Sequence, residues 1–167
     1  MSLSRLILRT AIGGFFIGHG TQKLFGWFGG GGLDATAEGF TALGLVPGRR
    51  NALVAGAAEA GGGGLLALGL ATPMAAAALI AVMLTAIRTV HLKNGPWNTN
   101  GGYEYPVVMI AALLTLAEAG PGRLSLDASL KADRHGAPWL VAALALGVSG
   151  SLAATRLAKR DAAAPIA

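Results

Sequence analysis

Apolar residues fall into five long stretches separated by short polar or glycine-rich segments. They run from Leu3 to Phe25, Ala52 to Ala71, Pro73 to Leu92, Tyr103 to Ala119 and Pro138 to Ala158. Each comes near the roughly 20 residues that a helix needs to cross bilayer hydrocarbon. Pro73 opens the third stretch and Pro106 sits in the first turn of the fourth, where a missing N–H costs nothing. Gly120-Pro121-Gly122 ends the fourth. The pattern predicts an all-α membrane helical bundle. Between the first two stretches, Leu33 to Gly44 reads as a short amphipathic surface helix. The first stretch contains His19 and flows into Gln22-Lys23, so it lacks the uninterrupted apolar core of a cleaved signal peptide and reads as a retained span.

Composition sharpens this picture. Hydrophobic residues make up 53% of the chain and charged residues 13%, with a mean hydropathy of +0.58. A soluble domain carries about a quarter charged residues, and a disordered chain is far less hydrophobic. The absence of cysteine excludes disulfides, CxxC couples, thiolate nucleophiles and cysteine-held metal centres. Any redox role therefore falls to a partner or a bound cofactor. The net charge of +5 comes from scattered Lys and Arg that form no nucleic-acid-binding motif, so no nucleic-acid partner is expected. With five spans, one side holds Arg5, Arg9, Arg123, Lys131 and Arg134, and the other holds eight basic residues, including Lys23, Arg49, Arg50, Lys93, Lys159 and Arg160. The positive-inside rule then puts the first loop, the third loop and the C-terminus in the cytoplasm.

Ionisable side chains inside a span are costly and point to function. Of the eight acidic residues, only Glu59 lies deep in a stretch. Counting along the spans brings His19, Glu59, Arg88 and His91 toward one half of the bundle, with Gln22, Tyr103 and Glu104 at the adjoining ends. Three readings stay open. Glu59 could be neutralised by Arg88 or a histidine, as a purely structural pair. His19 and His91 could ligate a haem, the less favoured alternative. The cluster could also hold a quinone head group or similar small molecule, with Trp27 or Trp97 as walls. No metal site is predicted. Gly14 and Gly18 form a GxxxG pair expected to pack tightly, and Gly61 to Gly64 interrupt the second stretch. The loop from His91 to Pro106, rich in Asn and Gly, reads partly as turns and partly as a lid over the cluster.

At these residues the chain resembles the DoxX family of small bacterial membrane proteins. The likeness rests on His19-Gly20, Gln22 to Gly30, Ala58-Glu59 with Gly62-Gly63, His91-Leu92, Asn100 to Pro106 and Gly120 to Arg123, in order between Leu3 and Leu130. The resemblance implies a four-helix membrane core over residues 1–130. Residues 131–167 then supply a linker, a fifth transmembrane helix and a short basic tail. It also implies a link to sulfur and quinone redox: relatives include a subunit of a thiosulfate:quinone oxidoreductase and a component of a mycobacterial oxidative-stress complex. The expected protein is a multi-pass subunit of the bacterial cytoplasmic membrane whose partners are lipid and other membrane or redox subunits. Its function is to support redox chemistry, with a quinone-like molecule bound near His19, Gln22, Glu59, Arg88, His91, Tyr103 and Glu104. The rival is a structural or assembly subunit whose polar cluster only locks helices together. A solute transporter fits less well, because inverted repeats and paired broken helices are not visible.

Overall fold

The computed structural model describes residues 3–162, and all the regular structure among them is helical. The helices are α1 (Leu3–Phe25), α2 (Gly32–Ala42), α3 (Gly48–Leu68), α4 (Thr72–Ala86), α5 (Glu104–Ala119), the single turn α6 (Leu126–Ser129) and α7 (Ala137–Ala162). Every apolar stretch is thus a helix, and the expected surface helix is α2. Helix α3 starts earlier than its apolar stretch, because extended Pro47 sets its first turn and brings Arg49 and Arg50 into it. Left-handed Gly69 (φ 63°) ends it. Despite four consecutive glycines, α3 is continuous. Helix α4 begins at Thr72-Pro73 and continues through a π turn, Ile87–His91.

Helices α1, α3, α4 and α5 close a ring: α3 lies against α1 and α4, α5 lies against α4, and α5 touches α1 more lightly. Helix α7 packs on the outside of this ring, against α4 and α5. The core is filled by Phe16, Leu66, Leu79, Ile80, Leu113 and Leu116. Large apolar residues also cover the outer faces, including Ile7, Phe15, Val54, Val108, Val141 and Leu146. Contiguous apolar surface of this kind is unusual on a soluble monomer and suits lipid. By length and composition, the segments Thr72–Asn94 and Ala137–Ala162 are long and apolar enough to cross a membrane.

Backbone proximity between α1 and α3 sets the geometry of the ring. A Cβ on Gly13 would stand 2.5 Å from the Gly63 carbonyl oxygen, and one on Gly63 would stand 2.6 Å from that of Gly13. Gly20 meets Gly56 and Ala60 in the same way. The GxxxG expectation is corrected here. Gly14 and Gly18 have nothing within 4 Å of a Cβ position, because the α1 face toward α3 carries Gly13, Phe16 and Gly20 instead. Of the glycine run in α3, Gly63 faces α1, Gly62 faces Leu79 of α4, and Gly61 and Gly64 are open.

At the end of the bundle that holds the α3–α4 turn, two buried charged residues tie loops to helices. Arg9, 2% exposed, donates from its guanidinium to the carbonyls of Ala67 and Leu124. Asp127, also 2% exposed, accepts from the Ala71 and Thr72 N–H groups at 2.7 and 3.0 Å and from the Thr72 hydroxyl at 2.9 Å. It thereby caps α4, whose first N–H groups have no partner inside the helix and whose dipole favours an anion there. Sequence spacing places Asp127 outside the long helices, and the structure puts it in the single turn α6 and buries it.

The two glycine stripes make opposite predictions. Gly20→Ala and Gly63→Ala force the α1–α3 backbones apart and should each cost about 1–3 kcal/mol, the usual penalty of overpacking. Gly14→Ala meets open space and should be neutral or gain up to about 1 kcal/mol from helix propensity. Unfolding of the purified protein in detergent, followed by circular dichroism, separates the two stripes.

Candidate ligand-binding site

The close crossing at Gly20 and Gly56 fixes the polar centre of the molecule. Residues four apart share one face of a helix, so His19 and Lys23 leave α1 on the same side. One turn beyond the crossing, Glu59 projects from α3. The Lys23 ammonium donates to Glu59 Oε2 at 2.6 Å. Glu59 is 3% exposed, and the long Lys23 stem carries its charge inward from near the end of α1. The pair is a neutral unit in an apolar setting, and neutrality is what makes a buried carboxylate tolerable.

Beside this pair lies a cavity of about 590 Å³. Its polar lining includes His19, Lys23, Glu59, His91 and Tyr105, and its apolar walls come from α3, α4 and α7, with Phe40, Leu43 and Leu45 from α2 and the segment after it. Small-molecule sites span about 300–1,000 Å³ with mostly apolar walls and a few convergent polar groups. Its lining reaches the bundle surface at Val54 of α3, 61% exposed, and at Gly150 of α7, which is also exposed.

His91 enters the lining through the π turn at the end of α4. Such a turn takes in one extra residue and re-aims the side chains that follow it, and it recurs at functional sites. Its Nδ1 lies 2.7 Å from the Gly101 carbonyl oxygen, and Asn94 Nδ2 donates to the same oxygen at 3.1 Å. Gly101 is held in turn by its own N–H, which donates to the Asn98 carbonyl at 2.8 Å. The loop between α4 and α5 is therefore braced mostly on itself, and only its two ends, at His91 and at Tyr105 and Pro106, border the cavity. A lid over the whole cluster is not what it forms.

The sequence-derived set divides accordingly. His19, Glu59 and His91 line one cavity. Arg88 does not join them. It is exposed and points toward α7, with Nη1 3.5 Å from Ser151 Oγ, because the small residues of α7 pack against that face of α4. The pairing of Glu59 with Arg88 is thus corrected to Lys23, which the α1–α3 contact brings nearer. Gln22 turns away and donates to the Phe28 carbonyl at 3.3 Å. Glu104 accepts the Asn98 N–H at 2.6 Å and so serves the loop, while Tyr103 begins α5 outside the cavity lining. The sequence alone does not bring out Lys23, and of the two tyrosines it offers as donors, Tyr103 or Tyr105, it is Tyr105 that lines the cavity. The four-residue spacing of His19 and Lys23 was the available signal for the first. For Tyr105 against Tyr103 the sequence held none, since both lie at the same helix start. Among the described residues, no group of three or more His, Asp and Glu side chains gathers as a metal site would need.

The family model for DoxX matches residues 4–92, which carry α1 to α4 and include His19, Lys23, Glu59 and His91. The chain belongs to the DoxX family. It is accordingly an integral membrane protein with a helical membrane fold. The match ends before α5, so Tyr105 and the whole of α7 lie beyond it. The chain is also similar to an uncharacterized protein of Haemophilus influenzae, 30% identical over 140 residues, covering 83% of this chain and 90% of that protein. No solved structure matches it.

The ion pair in this DoxX protein can be tested without a ligand. Lys23→Met strands the Glu59 carboxylate and should cost about 3–5 kcal/mol of stability. Adding Glu59→Gln removes the stranded charge and should recover most of that loss. A double-mutant cycle on detergent-solubilised protein measures the coupling; additive effects of the two substitutions would mean that the pair does not form.

Proposed function

We propose that this DoxX protein is a multi-pass subunit of the cell membrane that holds a quinone-type molecule in the α1–α3–α4 cavity and so supports the redox chemistry of a partner enzyme. Helices α1, α3, α4, α5 and α7 are the spans in this reading. The observation that carries it is the neutral Lys23–Glu59 pair, flanked by His19, His91 and Tyr105, at the polar end of an otherwise apolar cavity. A net-neutral polar centre favours an uncharged ligand over an ion, because an added charge there would find no free counter-charge. Apolar walls suit a hydrocarbon tail, and the exposed lining at Val54 and Gly150 gives a route from the lipid phase. Hydrogen-bonding groups at one end suit the ring oxygens. With no cysteine in the chain, electrons come and go through a partner.

Titration of the protein in lipid nanodiscs with a short-tailed benzoquinone, read by equilibrium dialysis, tests this reading. Saturable one-to-one binding is expected, weakened about tenfold or more by Tyr105→Phe, the loss of one hydrogen bond donated to a ring oxygen. Binding that does not saturate, or a variant indistinguishable from wild type, would reject it.

A specific observation favours a second reading, that of an assembly subunit. The Gly14/Gly18 face of α1 is unoccupied in the fold although its small residues suit close helix contact. Gly14→Leu with Gly18→Leu should then release a co-purifying membrane subunit while leaving monomer stability unchanged. Undiminished co-purification would count against it.

A further inference from the structure

We infer that the cavity prefers the reduced, dihydroxy form of its ring ligand over the oxidised, dicarbonyl form. This inference rests on the quinone-type reading above and adds to it a choice of redox state. It follows from the donor and acceptor roles that the fold assigns to two side chains.

His91 is the first. A carbonyl oxygen can only accept, so the 2.7 Å contact between Nδ1 and the Gly101 oxygen requires the hydrogen to sit on Nδ1. In the neutral ring Nε2 is then an acceptor, and it is the nitrogen left for a ligand. The Gly101 carbonyl is fixed independently of His91. Its residue closes a turn through the Asn98 carbonyl and sits at φ 74°, and Asn94 shares the oxygen. The tautomer is therefore set by the loop before any ligand arrives.

Glu59 is the second. Lys23 engages Oε2 alone, and among the described residues no donor reaches Oε1. A carboxylate only accepts. The cavity lining thus offers an acceptor from α3 and an acceptor from the π turn of α4, each lacking a hydrogen. Two ring hydroxyls can donate to both. Two ring carbonyls would set lone pairs against lone pairs and leave both acceptors unmet. Lys23, His19 and the Tyr105 hydroxyl also line the cavity and can donate, but a ring hydroxyl oxygen can accept such bonds too, so these donors leave the reduced ring with its bonds made while the two acceptors are met only by it. The balance lies with the reduced ring, by about tenfold for each hydrogen bond that the oxidised ring cannot make.

The test compares three probes on the full chain in nanodiscs under anaerobic conditions: a short-tailed benzohydroquinone, its benzoquinone and the dimethyl ether of the hydroquinone. The hydroquinone is expected to bind at least tenfold more tightly than the other two, and the bound couple to have a midpoint potential raised by about 30 mV per tenfold of preference. His91→Phe, which keeps a ring but has no acceptor, should lower the preference by about tenfold. If that variant does not fold, the wild-type comparison decides alone. Equal binding of the quinone and hydroquinone, or tighter binding of the quinone, overturns the inference and leaves the quinone-type reading standing. Binding of none of the three overturns both.

Discussion

The contact between the α1 and α3 backbones is the constraint from which the rest follows. Gly13, Gly20, Gly56 and Gly63 let the two helices approach until carbonyls and Cα atoms are in van der Waals reach. In lipid, where water gives helices no hydrophobic reason to associate, such proximity is the main source of packing energy. It also acts as a ruler. With the crossing fixed at Gly20, a lysine one turn along α1 and a carboxylate one turn along α3 meet at 2.6 Å without further adjustment. Were the helices a side chain's width apart, Glu59 would be a stranded charge.

The two ends of the bundle solve the problem of buried charge differently. Around Arg9 and Asp127, mostly backbone groups meet the charges: two carbonyls for the Arg9 Nη atoms, with Nε left unpartnered, and two N–H groups and a hydroxyl for the carboxylate. That arrangement rigidifies the α3–α4 turn and the segment around α6 and presents no cavity lining. Around Lys23 and Glu59, one charge satisfies the other through a single oxygen, and the groups beside them face an open volume. Closed and open polar centres thus occupy opposite ends of one helix pair. Between them, α1, α3, α5 and α7 expose large apolar side chains such as Phe15, Val54, Val108 and Leu146.

Much of the fold was legible in the sequence because hydropathy and helix signals are local. The five apolar stretches, the prolines that open α4 and α5, and α2 all follow from residue type and spacing alone. Depth along the apolar stretches led to His19, Glu59 and His91, which the fold does gather. The partner of Glu59 was not legible, because depth along a span says nothing about the direction in which a side chain leaves its helix. Arg88 and Lys23 both lay at plausible heights, and only the rotation of α1 and α4 about their axes separates them. The same ambiguity hid the working glycines. Gly13 and Gly20 mark one face of α1 and Gly14 and Gly18 another, and no spacing rule says which face has a neighbour. The burial of Asp127 depends on a loop folding back to the start of α4, a long-range event with no local signature.

Helix α7 adds a wall to the cavity while holding none of its charged or titratable groups. Its contributions are Gly150 and Ala154, two of the smallest side chains available. The groups that set the polarity of the cavity sit on α1, α3, the π turn and the start of α5. Polarity and width are thus assigned to separate parts of the chain. A larger residue at either α7 position narrows the cavity and leaves the Lys23–Glu59 pair, its glycine crossing and the His91 brace untouched. The width of the cavity can therefore diverge by change in one peripheral helix, without any alteration in its polar groups.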